Sequence, residues 1–167
     1  MYFKKSWLIL FLALISNSAF GSVMKPGCKV ASDIERYQRS MWLEGTRASQ
    51  VELIACIDDA WKFYDTEENT KSAEFTYFSS SYLLSALQFN LGEFVVETEK
   101  RPDLISKWLK NIEYDIFTWR DDPPCGRQSQ IDQVKSLLVS QKRSLSHFKT
   151  YHRLYKRFEK LKCHMID

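Results

Sequence analysis

The chain is poor in the residues from which most catalytic sites are built. Its 167 residues include five glycines, four prolines, four cysteines and three histidines. So few glycines leave no phosphate-cradling loop, which excludes dinucleotide and nucleoside-triphosphate chemistry of that kind. His147 and His152 stand roughly 140° apart around a helix, so they do not share a face as a metal-binding i, i+4 pair would. His164 is the third. No Cys-x-x-Cys or Cys/His cluster has zinc-ligand spacing. No Gly-x-Ser-x-Gly turn exposes a nucleophile, and Ser79-Ser80-Ser81 falls within a helical stripe. No Asn-x-Ser/Thr acceptor occurs, which fits a bacterial periplasm better than a eukaryotic secretory route. Strictly alternating segments, internal repeats and low-complexity tracts are also missing.

Long apolar runs are confined to the start. Met1-Tyr2-Phe3-Lys4-Lys5 precedes an apolar run from Trp7 to Ile15, and Ala19 and Gly21 then offer small residues at a cleavage site. This is the pattern of a secretory signal over residues 1–21. The run is shorter than the roughly 20 residues a spanning helix needs. Residues 22–167 would then form one domain. Removing Lys4 and Lys5 leaves 22 cations against 21 anions. Overall charge therefore says little about partners.

Export gives the cysteines a meaning. Cys28, Cys56, Cys125 and Cys163 are an even set, and an oxidising compartment would pair them into two disulfides. Sequential pairing, Cys28 with Cys56 and Cys125 with Cys163, is the preferred arrangement. It carries a structural condition. Residues 129–161 keep helical phase with no glycine or proline, and a straight helix would hold Cys125 and Cys163 far beyond the ~7 Å that a bridge spans. The pairing therefore predicts a bend near Ser144–Ser146.

Periodicity elsewhere predicts an all-α bundle of about five or six helices in antiparallel hairpins. Ser32-Asp33-Ile34-Glu35 and Ser49-Gln50-Val51-Glu52 have capping-box spacing. Ile34, Tyr37 and Met41 make the first buried stripe, closed by Gly45. Leu53, Ile54, Ile57, Ala60, Trp61 and Tyr64 make the second, and a polar stretch from Asp65 to Lys71 follows. One long helix is expected from Ser72 to about Thr98, burying Phe75, Phe78, Tyr82, Leu87, Leu91, Phe94 and Val95. Pro102 suits the first turn of the next helix, whose stripe is Leu104, Ile105, Trp108, Leu109, Ile112 and Ile116. Asp121 to Gly126 must be loop. Ser129 then caps a last helical region that buries Ile131, Val134, Leu138, Leu145, Phe148, Tyr151, Tyr155, Phe158 and Leu161.

Two carboxylate pairs were weighed for glycan cleavage, which needs acids about 5–10 Å apart across a substrate. Asp58 and Asp59 diverge by about 100° on a helix, and Asp121-Asp122 reads as a turn beside Trp119. No catalytic residue, cofactor or metal is expected. The strongest surface feature is charge asymmetry. From Lys142 to Lys162 eight basic residues face one acid, Glu159. Arg153, Lys156, Arg157 and Lys160, with the off-stripe aromatics Trp42 and Trp119, are the candidate partner-binding residues. Export makes nucleic acid an improbable target. The expectation is a periplasmic or secreted helical binding protein, an inhibitor or immunity protein against an envelope-acting toxin or hydrolase. The alternative is an accessory structural subunit, or a peripheral protein using the basic helix on an anionic membrane surface.

Overall fold

A computed structural model describes residue 28 and residues 31–66, 72–117 and 128–161, which form eight α-helices and no strand. The expected all-α class holds, with more helices than the five or six expected. They are α1 (Ala31–Glu44), α2 (Arg47–Thr66), α3 (Ser72–Phe89), α4 (Leu91–Glu99), α5 (Pro102–Phe117), α6 (Gln128–Ser140), α7 (Lys142–Leu145) and α8 (Lys149–Lys160). Residues 1–21, Trp119, the 121–126 loop, Cys125, Cys163 and His164 lie outside the described residues, as do the side chains of Tyr64, Phe75, Phe78 and Ile116.

The extra helices come from two breaks that apolar periodicity passes over. The first is Asn90, between α3 and α4. Its backbone is extended and its side chain accepts a hydrogen bond from the Glu93 amide at 3.1 Å. Asn90-Leu91-Gly92-Glu93 is thus an N-cap with an acid in the first turn, which stabilises the amide end. Gln50 of α2 reinforces the break, donating to the carbonyls of Ala86 at 2.8 Å and Asn90 at 2.9 Å. The buried amide thereby adds a second donor to two carbonyls that already accept from the Asn90 and Phe94 amides.

The second break separates α6 from α8. After α6 the chain makes the single turn α7, then Ser146-His147-Phe148, and reverses into α8. The predicted bend is therefore present. Tyr151 of α8 donates to the Leu138 carbonyl at 2.7 Å, and the Lys135 ammonium reaches the Leu161 carbonyl at 2.8 Å. Those contacts pair the start of α8 with the end of α6, and the end of α8 with its middle: an antiparallel hairpin.

The expected caps shift by a turn or less. Thr46, not Ser49, caps α2: its hydroxyl accepts from the Ser49 amide at 3.1 Å, while the Ser49 hydroxyl returns to the Thr46 carbonyl at 2.8 Å. Ser32 and Ser129 lie inside the first turns of α1 and α6 rather than before them. Gly45 closes α1 with φ of 64°, and its amide bonds the Met41 carbonyl at 3.1 Å. That left-handed backbone is what a glycine supplies at little cost. Pro102 opens α5 as expected.

The stripes meet in one contiguous core. Ile34, Met41, Leu53, Ile54, Ile57, Leu87, Leu91, Phe94, Trp108 and Phe158 are all buried within it. Cys28 joins Cys56 there, with Cα atoms 5.2 Å apart, so the first expected disulfide ties the lead-in to α1 onto α2. It is the one disulfide among the described residues, where two were expected for the whole chain.

Candidate docking surface on the last helix

Among the described residues, Asp58, Ser79 and His147 fall into structural places. Asp58 is buried, but as part of an ion-pair cluster rather than a cleft. Lys62 pairs with it at 2.7 Å and Arg101 at 3.4 Å. Arg101 also pairs with Glu97, and Lys100 holds Glu97 at 2.8 Å. Burial pushes the Glu97 carboxyl up in pKa, but hydrogen bonds from Lys100 and Arg101, with their charges, outweigh it and hold it below the ordinary 4.5. Ser79 is buried and accepts from the Trp61 indole. His147 stacks on Phe148 with ring centroids 4.1 Å apart. Among the described residues no group of three His, Cys, Asp or Glu could hold a metal ion. None of their helices is long and apolar enough to cross a membrane.

What remains is α8. Its apolar residues and most of its basic residues fall on opposite faces. Tyr151, Leu154 and Phe158 are buried with Thr150. Lys149, Arg153, Lys156 and Lys160 are exposed. Their spacing of four, three and four confines them to a sector of about 60° over a length of about 16 Å. Arg157 stands half-buried beside them. Of the expected residues the structure thus brings Arg153, Lys156 and Lys160 onto one ridge and adds Lys149. Arg153 donates to Ser106 of α5 at 2.6 Å, and that hydroxyl donates to the Pro102 carbonyl at 2.7 Å. The ridge is therefore fixed against α5.

The start of α8 is held by charge. Phe148 precedes it and offers no side-chain cap. Glu99, the last residue of α4, supplies one across space, accepting from the Thr150 amide at 2.7 Å. Burial again raises the carboxyl's pKa. Hydrogen bonds from the Thr150 side chain and from the Thr150 and Lys149 backbone outweigh it, with the Lys149 charge adding to them, and keep it below 4.5. A carboxylate at a helix N-terminus is stabilised by the helix dipole as well.

Trp42 lies apart from this surface, on α1. It is 55% exposed, its indole donates to Ser85 at 3.3 Å, and Phe89 packs edge-on to it at 5.3 Å. With the neighbouring Leu43 it forms an exposed apolar spot. Another, which apolar periodicity gave no sign of, is Val139 of α6, which is 59% exposed. It borders an open groove of about 160 Å³ between α6 and α8, lined also by Lys135, Leu138, Tyr155, Phe158 and Glu159. No protein-family model, curated protein or solved structure matches the chain.

Proposed function

We propose that this chain is an exported helical binding protein that works by docking onto an acidic protein, as an inhibitor or immunity protein of an envelope-acting toxin or hydrolase. The observation that carries the reading is the division of labour on α8. Four exposed cations form a continuous ridge while Tyr151, Leu154 and Phe158 are committed to the core. A helix that binds a membrane surface by itself inserts its apolar face among the lipids. Tyr151, Leu154 and Phe158 are not available for that, which favours a protein partner met through charge. A fixed row of like charges speeds encounter and selects orientation.

Export belongs to the same proposal. Residues 1–21 act as the signal, residues 22–167 are the delivered domain, and the compartment is oxidising, in keeping with the Cys28–Cys56 bridge. The second bridge, Cys125–Cys163, is proposed with it. The α6–α8 hairpin sets Leu161 beside Lys135, so the bend that this pairing requires is in place.

Co-expression in the periplasm with the product of an adjacent secreted hydrolase or effector gene tests the function. Protection of growth is expected, with loss of protection in the triple variant Lys149→Glu, Lys156→Glu and Lys160→Glu. If that variant protects as well as the parent, the ridge is not the docking surface. If instead the protein pellets with phosphatidylglycerol vesicles and binds no protein, the membrane alternative replaces this reading.

A further inference from the structure

We infer that the groove between α6 and α8 is the anchor pocket of this docking surface, and that its occupant is a single bulky apolar side chain of a protein segment with acidic residues on both sides. The inference rests on the protein-binding reading above and adds to it a place and a chemistry.

Size is the first argument. A volume of about 160 Å³ is close to that of a cavity lined by apolar residues that holds one benzene molecule. One aromatic or branched aliphatic side chain therefore fills the groove; a whole helix face would not enter it. Leu138 and Phe158, both buried, close its floor, and Val139 and Tyr155 are the apolar side chains it exposes. Val139 stands at the lip with more than half of its surface in water. An exposed valine beside a concave apolar surface resembles the centre of an interface, where large side chains of a partner are desolvated.

Charge is the second argument, and it specifies the flanks. Lys135 lines the groove and is fixed there by its bond to the Leu161 carbonyl. Lys142 lies over the Tyr155 ring, its ammonium 5.7 Å from the centroid. The two lysines are seven residues apart along α6 and α7, or about 10 Å by helical rise. Leu138 and Val139 fall between them in sequence. A segment seated in the groove thus meets a cation on either side of its anchor. On α8 the ridge stands about 100° or more around the helix from Tyr155, with Glu159 between, so Lys135 and Lys142 are the cations next to the anchor. Glu159 is the exception: it lines the same groove. A carboxylate there disfavours a lipid phosphate and an acidic anchor alike. It leaves an uncharged side chain as the group that enters.

The test uses the full chain, expressed with residues 1–21 in place, purified as processed and labelled with nitrogen-15. The probe is a short blocked peptide with one phenylalanine flanked on both sides by glutamates. Amide shifts are expected at Leu138, Val139, Tyr155 and Phe158. Affinity should fall about tenfold or more in Val139→Asp and in Lys142→Glu, a loss typical of a central anchor or a paired charge. Both positions are exposed, so both variants should keep the parent's far-ultraviolet circular dichroism. A matched peptide with serine for phenylalanine should bind more weakly by a similar factor. Equal binding of the two peptides, with shifts confined to Lys149, Arg153, Lys156 and Lys160, would remove the groove and leave the ridge as the docking surface. Binding of phosphatidylglycerol vesicles without binding of either peptide would overturn both readings. Peptide shifts centred on Trp42 and Leu43 would move the anchor site to α1 and overturn the groove alone.

Discussion

At the scale of single residues, Arg101 has the most exacting task. It sits between α4 and α5 and faces two buried carboxylates, Asp58 of α2 and Glu97 of α4. Each carboxylate has a lysine as well, but Lys62 and Lys100 are more than 60% exposed, whereas Arg101 is 20% exposed. Charge pairs with one foot in water contribute little. Removing the cation that is mostly out of water leaves buried anions short of compensation. Arg101→Met should therefore cost about 3 kcal/mol in unfolding free energy, read by urea denaturation. Lys100→Met should cost under about 1 kcal/mol. Equal losses from the two would show that burial does not set their ranking. The cluster also explains why Asp58 looks noteworthy in sequence and is chemically ordinary. Its Oδ2 is shared by Lys62 of the same helix and by Arg101, which ties α2 to the end of α4.

At the scale of elements, the decisive question is what holds α8. It has no cap of its own, a turn of three residues before it, and a strongly basic surface. Glu99 answers part of the problem from outside the helix, and Tyr151 answers another part by satisfying the Leu138 carbonyl at the end of α6. Glu99→Ala should destabilise the protein by about 1 to 2 kcal/mol at neutral pH, the usual worth of a capping group. The pH dependence follows from the lowered carboxyl pKa. A carboxylate with a folded pKa below its unfolded value contributes fully above about pH 4.5 and loses that contribution as pH falls through the folded value. The gap between parent and variant should therefore close in acid, which thermal melts between neutral pH and pH 3 would reveal. A constant gap would assign the effect to packing instead.

These same elements show what was legible in the sequence. The core stripes were readable because burial imposes the 3.6-residue period directly. Ile34, Met41, Leu53, Ile57, Trp108 and Phe158 all face inward as their spacing demands. The breaks were harder. Asn90 interrupts a helix whose apolar phase runs on from Leu87 to Leu91 and Phe94, and its signal is the local Asn-x-x-Glu alone. The reversal before α8 has no glycine or proline. It is set by contacts from Glu99, Leu138 and Lys135, which no local pattern contains. The basic content of the last helix was plain in the composition. The ridge could be placed only once α8 had a defined start, and the groove only once α6 and α8 faced each other.

At the scale of the whole molecule, the question is what a bridge contributes to a core that is already contiguous. Cys28 and Cys56 are both fully buried and 28 residues apart in sequence. Closing a loop of that length lowers the entropy of the unfolded chain by the equivalent of about 3 to 4 kcal/mol. The α1–α2 pair has Gly45 and Thr46 at its junction and also relies on the Thr46–Ser49 cap. Its main packing is on α3 and α4 rather than on α6 or α8, so its loosening reaches the basic ridge only through α4. This separates stability from binding. Cys28→Ser with Cys56→Ser should lower unfolding free energy by a few kcal/mol, measured by denaturation at fixed pH. Below the new melting temperature, affinity for the groove-directed peptide should stay within about twofold of the parent's, since distant sites act almost independently. Loss of peptide affinity in a folded double variant would mean that the first helical pair governs the geometry of the last one, and that the molecule transmits strain across its core rather than merely resisting it.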